Sequence, residues 1–135
     1  MQKPASASVS VVSGSALFPL TIHTISEMNW RGHWAIRRKR FDAHKKAVQI
    51  AMSVIDRSTW APPYQVTMVR CSAGTLDDDN LTSSLKAVRD AVANELGYDD
   101  GGKEISWVYK QEKAPRKTRK VWVEIQYRVS GGVSS

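Results

Sequence analysis

Residues 76–101 read LDDDNLTSSLKAVRDAVANELGYDDG, and the fold turns on how this stretch is parsed. Three adjacent carboxylates, Asp77, Asp78 and Asp79, stand before a run in which Leu81, Leu85, Val88, Val92 and Leu96 recur at helical spacing. Gly97 follows the last apolar residue, where a helix ends in a left-handed cap. The stretch therefore predicts a single helix from the aspartates to Leu96. At about 100° per residue its apolar stripe leaves Asp79, Ser83, Lys86 and Asp90 on the opposite face. A turn bearing Asp99 and Asp100 comes next, placed to return toward the helix start.

Two readings of the aspartates stand side by side. Carboxylates are expected at a helix N-terminus, where they accept orphan N–H bonds and meet the positive end of the dipole. One aspartate suffices for that. Three adjacent ones repel each other, and crowded carboxylates stay ionised together when a cation holds them. An all-oxygen donor set suits a hard ion, magnesium or manganese, rather than zinc.

Outward from this stretch, Tyr64, Val66 and Met68 alternate along a strand, Tyr64–Cys71, that leads through Ser72, Ala73 and Gly74 into the aspartates. Beyond the turn, Ile105, Trp107 and Tyr109 mark a third strand, and Val121, Val123, Ile125 and Tyr127 a fourth. Residues 111–120 between them read as a basic loop or hairpin tip. Nearer the start, Phe18, Leu20 and Ile22 suggest a first strand over 16–23, with Pro19 arguing for an edge position. Residues 31–57 carry Phe41, His44, Val48, Ala51 and Ile55 at helical spacing, and Pro62-Pro63 is expected to close that segment. The predicted fold is α+β, a small mixed sheet of about four strands with two main helices against it. One domain over 15–129 is expected, between a flexible leader, 1–14, and a flexible tail, 130–135.

Charge is segregated along the 135 residues, whose formal net charge is +7. Eight of the thirteen acids fall between Asp77 and Glu104, whereas thirteen of the twenty Lys and Arg residues lie in two flanking runs. The first run holds Arg31, Arg37, Arg38, Lys39, Arg40, Lys45 and Lys46; the second holds Lys110, Lys113, Arg116, Lys117, Arg119 and Lys120. Basic helices are commonly just solvated. Basic flanks around an acidic centre also suit a polyanion whose backbone is gripped on both sides of a reactive point, and nucleic acid is the partner this pattern favours.

Other classes are excluded or weakened. Cys71, the single cysteine, forms no internal disulfide and no cysteine zinc site, which fits a reducing cytoplasm. No apolar run has the length of a membrane span, so no membrane partner is expected. Thr82 stands where a calcium loop starting at Asp77 needs glycine, and Val88 where it needs glutamate. Gly101-Gly102 lacks the lysine and hydroxyl order of a phosphate-binding loop, so no nucleotide cofactor is expected. His23, His33 and His44 have no metal-ligand spacing, and Trp107 and Trp122 read as packing residues. Trp30 and Trp34, in the basic run, are candidates for stacking on bases.

The D-x-D-N run, a helix carrying lysine and then aspartate four residues later, and a following D-D turn resemble the RusA family of Holliday junction resolvases of phages and prophages. The resemblance implies a metal-dependent endodeoxyribonuclease acting in DNA recombination and repair. It places the catalytic, metal-binding carboxylates on Asp77, Asp79 and Asp100, with Asp78 and Asp99 as further or outer ligands. Lys86 takes the role of the assisting helix lysine. In the family pattern this lysine lies one turn after the second aspartate, whereas Lys86 follows Asp79 by seven residues. That keeps it on the same face but about 5 Å further along the axis. The resemblance also implies Mg2+ with Mn2+ as a substitute, a branched DNA substrate and a homodimer whose symmetry matches the junction. The DNA-binding residues expected are Arg31, Arg37, Arg38, Lys39, Arg40, Lys45, Lys46, Arg116, Lys117, Arg119 and Lys120. A branched-DNA binder that does not cut, a less selective metal-dependent nuclease and a basic structural protein of a phage-like element are the competing expectations.

Overall fold

The computed structural model describes residues 13–129. The expected tail and most of the expected leader lie outside that range. Four strands form one sheet: β1 (Ser13–Leu20), β2 (Trp60–Ser72), β3 (Ile105–Lys113) and β4 (Lys120–Val129). Their spatial order is β1-β4-β2-β3, with β2 and β3 parallel and the other two pairings antiparallel. Three helices complete the α+β fold: α1 (Trp34–Ser53), α2 (Asp78–Ser84) and α3 (Lys86–Leu96), with a short 3-10 turn at Glu27–Asn29 before α1.

Alternation along each strand directs one face into the core. Phe18 and Leu20, Val121, Val123 and Ile125, Tyr64, Val66 and Met68, and Ile105 line up across the sheet by register and are all buried. Val48 and Met52 of α1, then Leu81, Leu85, Val88 and Val92 of α2 and α3, close over them in a single cluster. Each fully buried Val or Leu in it contributes roughly 1.5–3 kcal/mol relative to exposure. Helix α1 commits only a narrow stripe to this core, because its charged residues fill most of its circumference.

Several expectations are met and several corrected. Strand β1 is an edge, as Pro19 implied, but it begins at Ser13, inside the expected leader, and ends at Leu20. Gly97 ends α3 in the left-handed region at φ 85°, accepting no Cβ penalty. Pro62-Pro63 does not close a helix: α1 has already stopped at Ser53, and the pair, joined by a cis bond, lies inside β2. An irregularity between Ala61 and Gln65 absorbs the ladder N–H groups that proline lacks. Residues 114–119 are not a hairpin tip, since β2 lies between β3 and β4; the loop passes over the end of β2. The one expected helix after the aspartates is two, interrupted at Leu85.

Helices α2 and α3 thus form the crossover between parallel strands β2 and β3. Parallel neighbours require such a connection, and it sets residues 73–77 at the C-terminal end of β2. No helix among the described residues is long and apolar enough to cross a membrane.

Candidate active site

The loop out of β2 is tied down at both ends of its short span. The guanidinium of Arg70 donates to the Gly74 carbonyl at 3.2 Å. Gln111 of β3 clasps Leu76, its amide nitrogen donating to the Leu76 carbonyl at 2.6 Å and its amide oxygen accepting from the Leu76 N–H at 2.9 Å. Asp77 is delivered in extended conformation as the N-cap of α2. Its Oδ1 accepts from the Asn80 N–H at 3.0 Å and from Asn80 Nδ2 at 2.9 Å. Capping therefore describes Asp77 well. Asn80 in turn accepts from the Ser26 hydroxyl, which fastens α2 to the 3-10 turn.

Asp78 and Asp79 occupy the exposed first turn of α2, where the apolar stripe cannot bury them. At Leu85 the backbone leaves helical geometry (φ −108°, ψ 9°), its N–H reaching the Thr82 carbonyl at 3.2 Å, while its side chain stays fully buried. Helix α3 restarts at Lys86. Asp79, Thr82, Ser83, Lys86, Arg89, Asp100, Tyr109 and Met28 surround a cavity of about 490 Å3. Two of the three expected carboxylates and the expected lysine are therefore brought together. Asp77 does not line this cavity; Asp99 lines a shallower neighbouring one with Asp90 and Asp100. Lys86 Nζ stands 3.7 Å from Asp90 Oδ2, an exposed i,i+4 pair of little energetic weight.

Arg89 is a site residue that the sequence did not single out. Its Nε donates to Asp100 Oδ2, one terminal nitrogen to the Asp100 carbonyl and the other to the Tyr109 hydroxyl, each at 2.9 Å. The guanidinium lies 4.8 Å from the centre of the Trp107 ring, and the Trp107 indole N–H donates to the same Asp100 carbonyl at 2.7 Å. Burial works against the Arg89 charge, but Tyr109 and Asp100 outweigh it and hold the group more firmly protonated than usual. Its position between Lys86 and Asp90 was the only signal in the sequence. Trp107 packs as expected and also helps fix Asp100.

The basic residues divide by environment. Arg31, Arg37, Arg38 and Lys39 are exposed on and before the first turns of α1, as are Lys46 further along and Arg116, Lys117 and Arg119 in the β3–β4 loop. Arg40 is otherwise engaged: it forms a two-point pair with buried Glu27 at 2.6 and 2.7 Å and covers Trp30 at 4.7 Å. Trp34 remains exposed and stacked on His33, whose Nδ1 caps α1 by accepting from the Ala35 N–H. Lys45 is half-buried, and Lys120 lies over Trp122.

Among the described residues, no three His, Cys, Asp or Glu side chains converge closely enough to form a ready metal cage. The residues that line the cavity nevertheless carry hard oxygens, the Asp79 and Asp100 carboxylates and the Thr82 and Ser83 hydroxyls, although Asp100 Oδ2 accepts from Arg89 and the Ser83 hydroxyl donates to the Asn80 carbonyl. That donor set fits Mg2+, which keeps several waters and needs only one or two carboxylates.

No family model and no curated protein matches the chain. Among solved structures it is similar to 2C-methyl-D-erythritol 2,4-cyclodiphosphate synthase from Plasmodium vivax, at 8% identity and a TM-score of 0.39, covering 88% of this chain and 97% of that one. A likeness that low carries no functional argument.

Proposed function

We propose that this protein is a metal-dependent endodeoxyribonuclease, similar to RusA, that cuts four-way DNA junctions by phosphodiester hydrolysis. The observation that carries this reading is the shared cavity of Asp79 and Lys86, from the α2–α3 stretch, with Asp100, from the turn beyond α3, three residues that the resemblance had assigned to one centre. Exposed basic residues of α1 and of the β3–β4 loop supply the phosphate grip that positions a duplex arm.

Asp79 and Asp100 would hold Mg2+, with Asp77, Asp78 and Asp99 close by in sequence to orient coordinated water. Bound there, the ion supplies Lewis-acid activation of water and neutralises charge on the scissile phosphate. The chain's own residues do the rest. Lys86 offers a cation toward the leaving oxygen. Arg89, held by Tyr109 and stacked on Trp107, fixes the Asp100 carboxylate so that it does not rotate away from the cavity. Lys86 opens α3 just after the interruption at Leu85 and, despite its longer spacing from Asp79, lines the same cavity.

A non-cutting junction binder is the second reading, favoured by the existing partners of Asp77 and Asp100, Asn80 and Arg89 respectively. The test is incubation of the native chain with a labelled four-way junction, a matched linear duplex and a single strand, with Mg2+, with Mn2+ and with chelator. Paired, symmetric, metal-dependent nicks in the junction alone are expected, from a particle that light scattering shows to be a dimer. Tight junction binding without nicks under any metal would install the second reading, and equal cutting of all three substrates a less selective nuclease.

A further inference from the structure

Arg70 has an unusual environment for an arginine. It sits near the C-terminal end of β2, in a run otherwise apolar or small, and is only 6% exposed. The partly buried guanidinium groups elsewhere in the fold have carboxylate partners: Arg40 has Glu27, Arg57 has Glu95 and Arg89 has Asp100. Arg70 has none among the described residues. Its Nε donates to the Thr24 hydroxyl at 2.8 Å and one terminal nitrogen to the Gly74 carbonyl, two neutral acceptors for five N–H donors. Burying a cation without a counter-charge costs several kcal/mol. An anion in the adjoining cavity would supply the counter-charge that the protein's own side chains do not.

The surroundings point the same way. Arg70, Thr24 and His23 form one wall of a cavity of about 330 Å3, and Arg116, Lys117 and Arg119 of the β3–β4 loop form the other. The loop is folded to present them, with a turn closed from the Thr118 N–H to the Pro115 carbonyl and Lys117 in the left-handed region at φ 71°. No acid among the described residues lines this cavity. Burial, then Arg119, Arg40 and Arg70, depress the His23 pKa, as expected of a locally positive field.

We propose that this cavity binds a phosphoryl anion, clamped between the buried Arg70 and the exposed charges of Arg116 and Arg119. Two sources share that chemistry, a backbone phosphate of nucleic acid and a free phosphate compound. The backbone source rests on the reading under Proposed function. It is the better fit because Arg70 also holds Gly74, five residues before Asp79. Five residues span at most about 18 Å, so a strand seated here reaches the Asp79 cavity within about five nucleotides at about 3.4 Å per step. The cavity would set how far from the anchored phosphate the cut falls.

The experiment titrates inorganic phosphate, against sodium chloride of equal ionic strength, into the native chain and Arg119→Gln, following the arginine Nε–Hε resonances by NMR. Arg119 is exposed, so this variant folds. A saturable shift of the Arg70 resonance with phosphate alone is expected, weakened roughly tenfold in the variant, as loss of one charge-assisted bond implies. A four-way junction should abolish that response, and the slope of log affinity against log salt for the junction should fall by about 0.9 in Arg119→Gln. A shift no larger than sodium chloride produces overturns the site. A saturable phosphate response with no junction competition and an unchanged slope keeps the anion site and overturns the backbone source. The phosphate arm is independent of cleavage, so failure of the nuclease reading leaves it readable.

Discussion

Replacing Glu27 with alanine should be the most damaging single change outside the hydrophobic core. The Glu27 side chain is 1% exposed and is held by Arg40 at 2.6 and 2.7 Å, with Arg37 at 3.4 Å. Truncating one member of a buried pair costs about 3–5 kcal/mol, mostly by stranding the other charge. The Arg40 side chain keeps 12% exposure and its place over Trp30, so part of that charge can be re-solvated, and Arg37 is too exposed to add much. The lower end, about 3 kcal/mol, follows. For a domain of this size that lowers Tm by roughly 10 °C. In urea, with a slope of about 2 kcal/mol/M, the midpoint falls by roughly 1.5 M. Arg40→Met should be comparably damaging. The double variant Glu27→Ala/Arg40→Met should be little worse than either single one, because it removes both charges together. A Glu27→Ala loss below about 1 kcal/mol, or additive single losses, would refute the claim that this clasp anchors the 3-10 turn to α1.

Two further outcomes follow from local geometry. His44 is buried, its Nε2–H bonded to the His23 carbonyl at 2.7 Å and its Nδ1 without a partner among the described residues, and burial lowers its pKa below the ordinary 6.5. The unfolded chain then binds the extra proton more readily, so stability is full above about pH 6.5 and declines as pH falls, by at most about 1.4 kcal/mol per pH unit for this group; His23 is shifted in the same direction and adds to the slope. Urea melts across pH 5–8 should show this slope reduced in His44→Gln, and an equal slope in the variant would remove His44 as its source. Gly97→Ala should cost about 1–2 kcal/mol, since open space surrounds an added Cβ and only the positive φ penalises it. Gly97→Asn should cost less, because asparagine tolerates that conformation, and equal thermal shifts for the two would contradict the argument.

Much of the framework was legible because it rests on short-range periodicity. Alternating apolar residues located all four strands, Pro19 marked an edge, and Gly97 marked a helix end. The interruption at Leu85 was not legible, because Leu81, Leu85 and Val88 keep the apolar stripe in phase across it. The place of Pro62-Pro63 inside β2 was equally hidden, since the strand accommodates them through a register irregularity that only pairing reveals. Strand order, too, depends on long-range register. Of the residues around the candidate cavity, Asp79, Lys86 and Asp100 were singled out from motif and face, whereas Asp77, singled out with them, caps α2 outside it. Arg89, Tyr109 and Gln111 were not, because their roles arise from β3 lying beside the crossover. Arg70 left a trace that could have been used: a guanidinium in a run of Val, Met and Cys announces a buried charge that needs an explanation.

The central claim is that Asp79 belongs to a centre that cuts DNA, and the most direct measurement compares native chain and Asp79→Asn on one labelled four-way junction, reading binding and cleavage together in Mg2+. Asp79 is exposed on the first turn of α2, and asparagine is sterically equivalent, so the fold and junction affinity should be kept. Cleavage should fall by at least about a hundredfold, the loss typical when one group stabilising transition-state charge is removed. Cleavage by Asp79→Asn at the native rate would contradict the account.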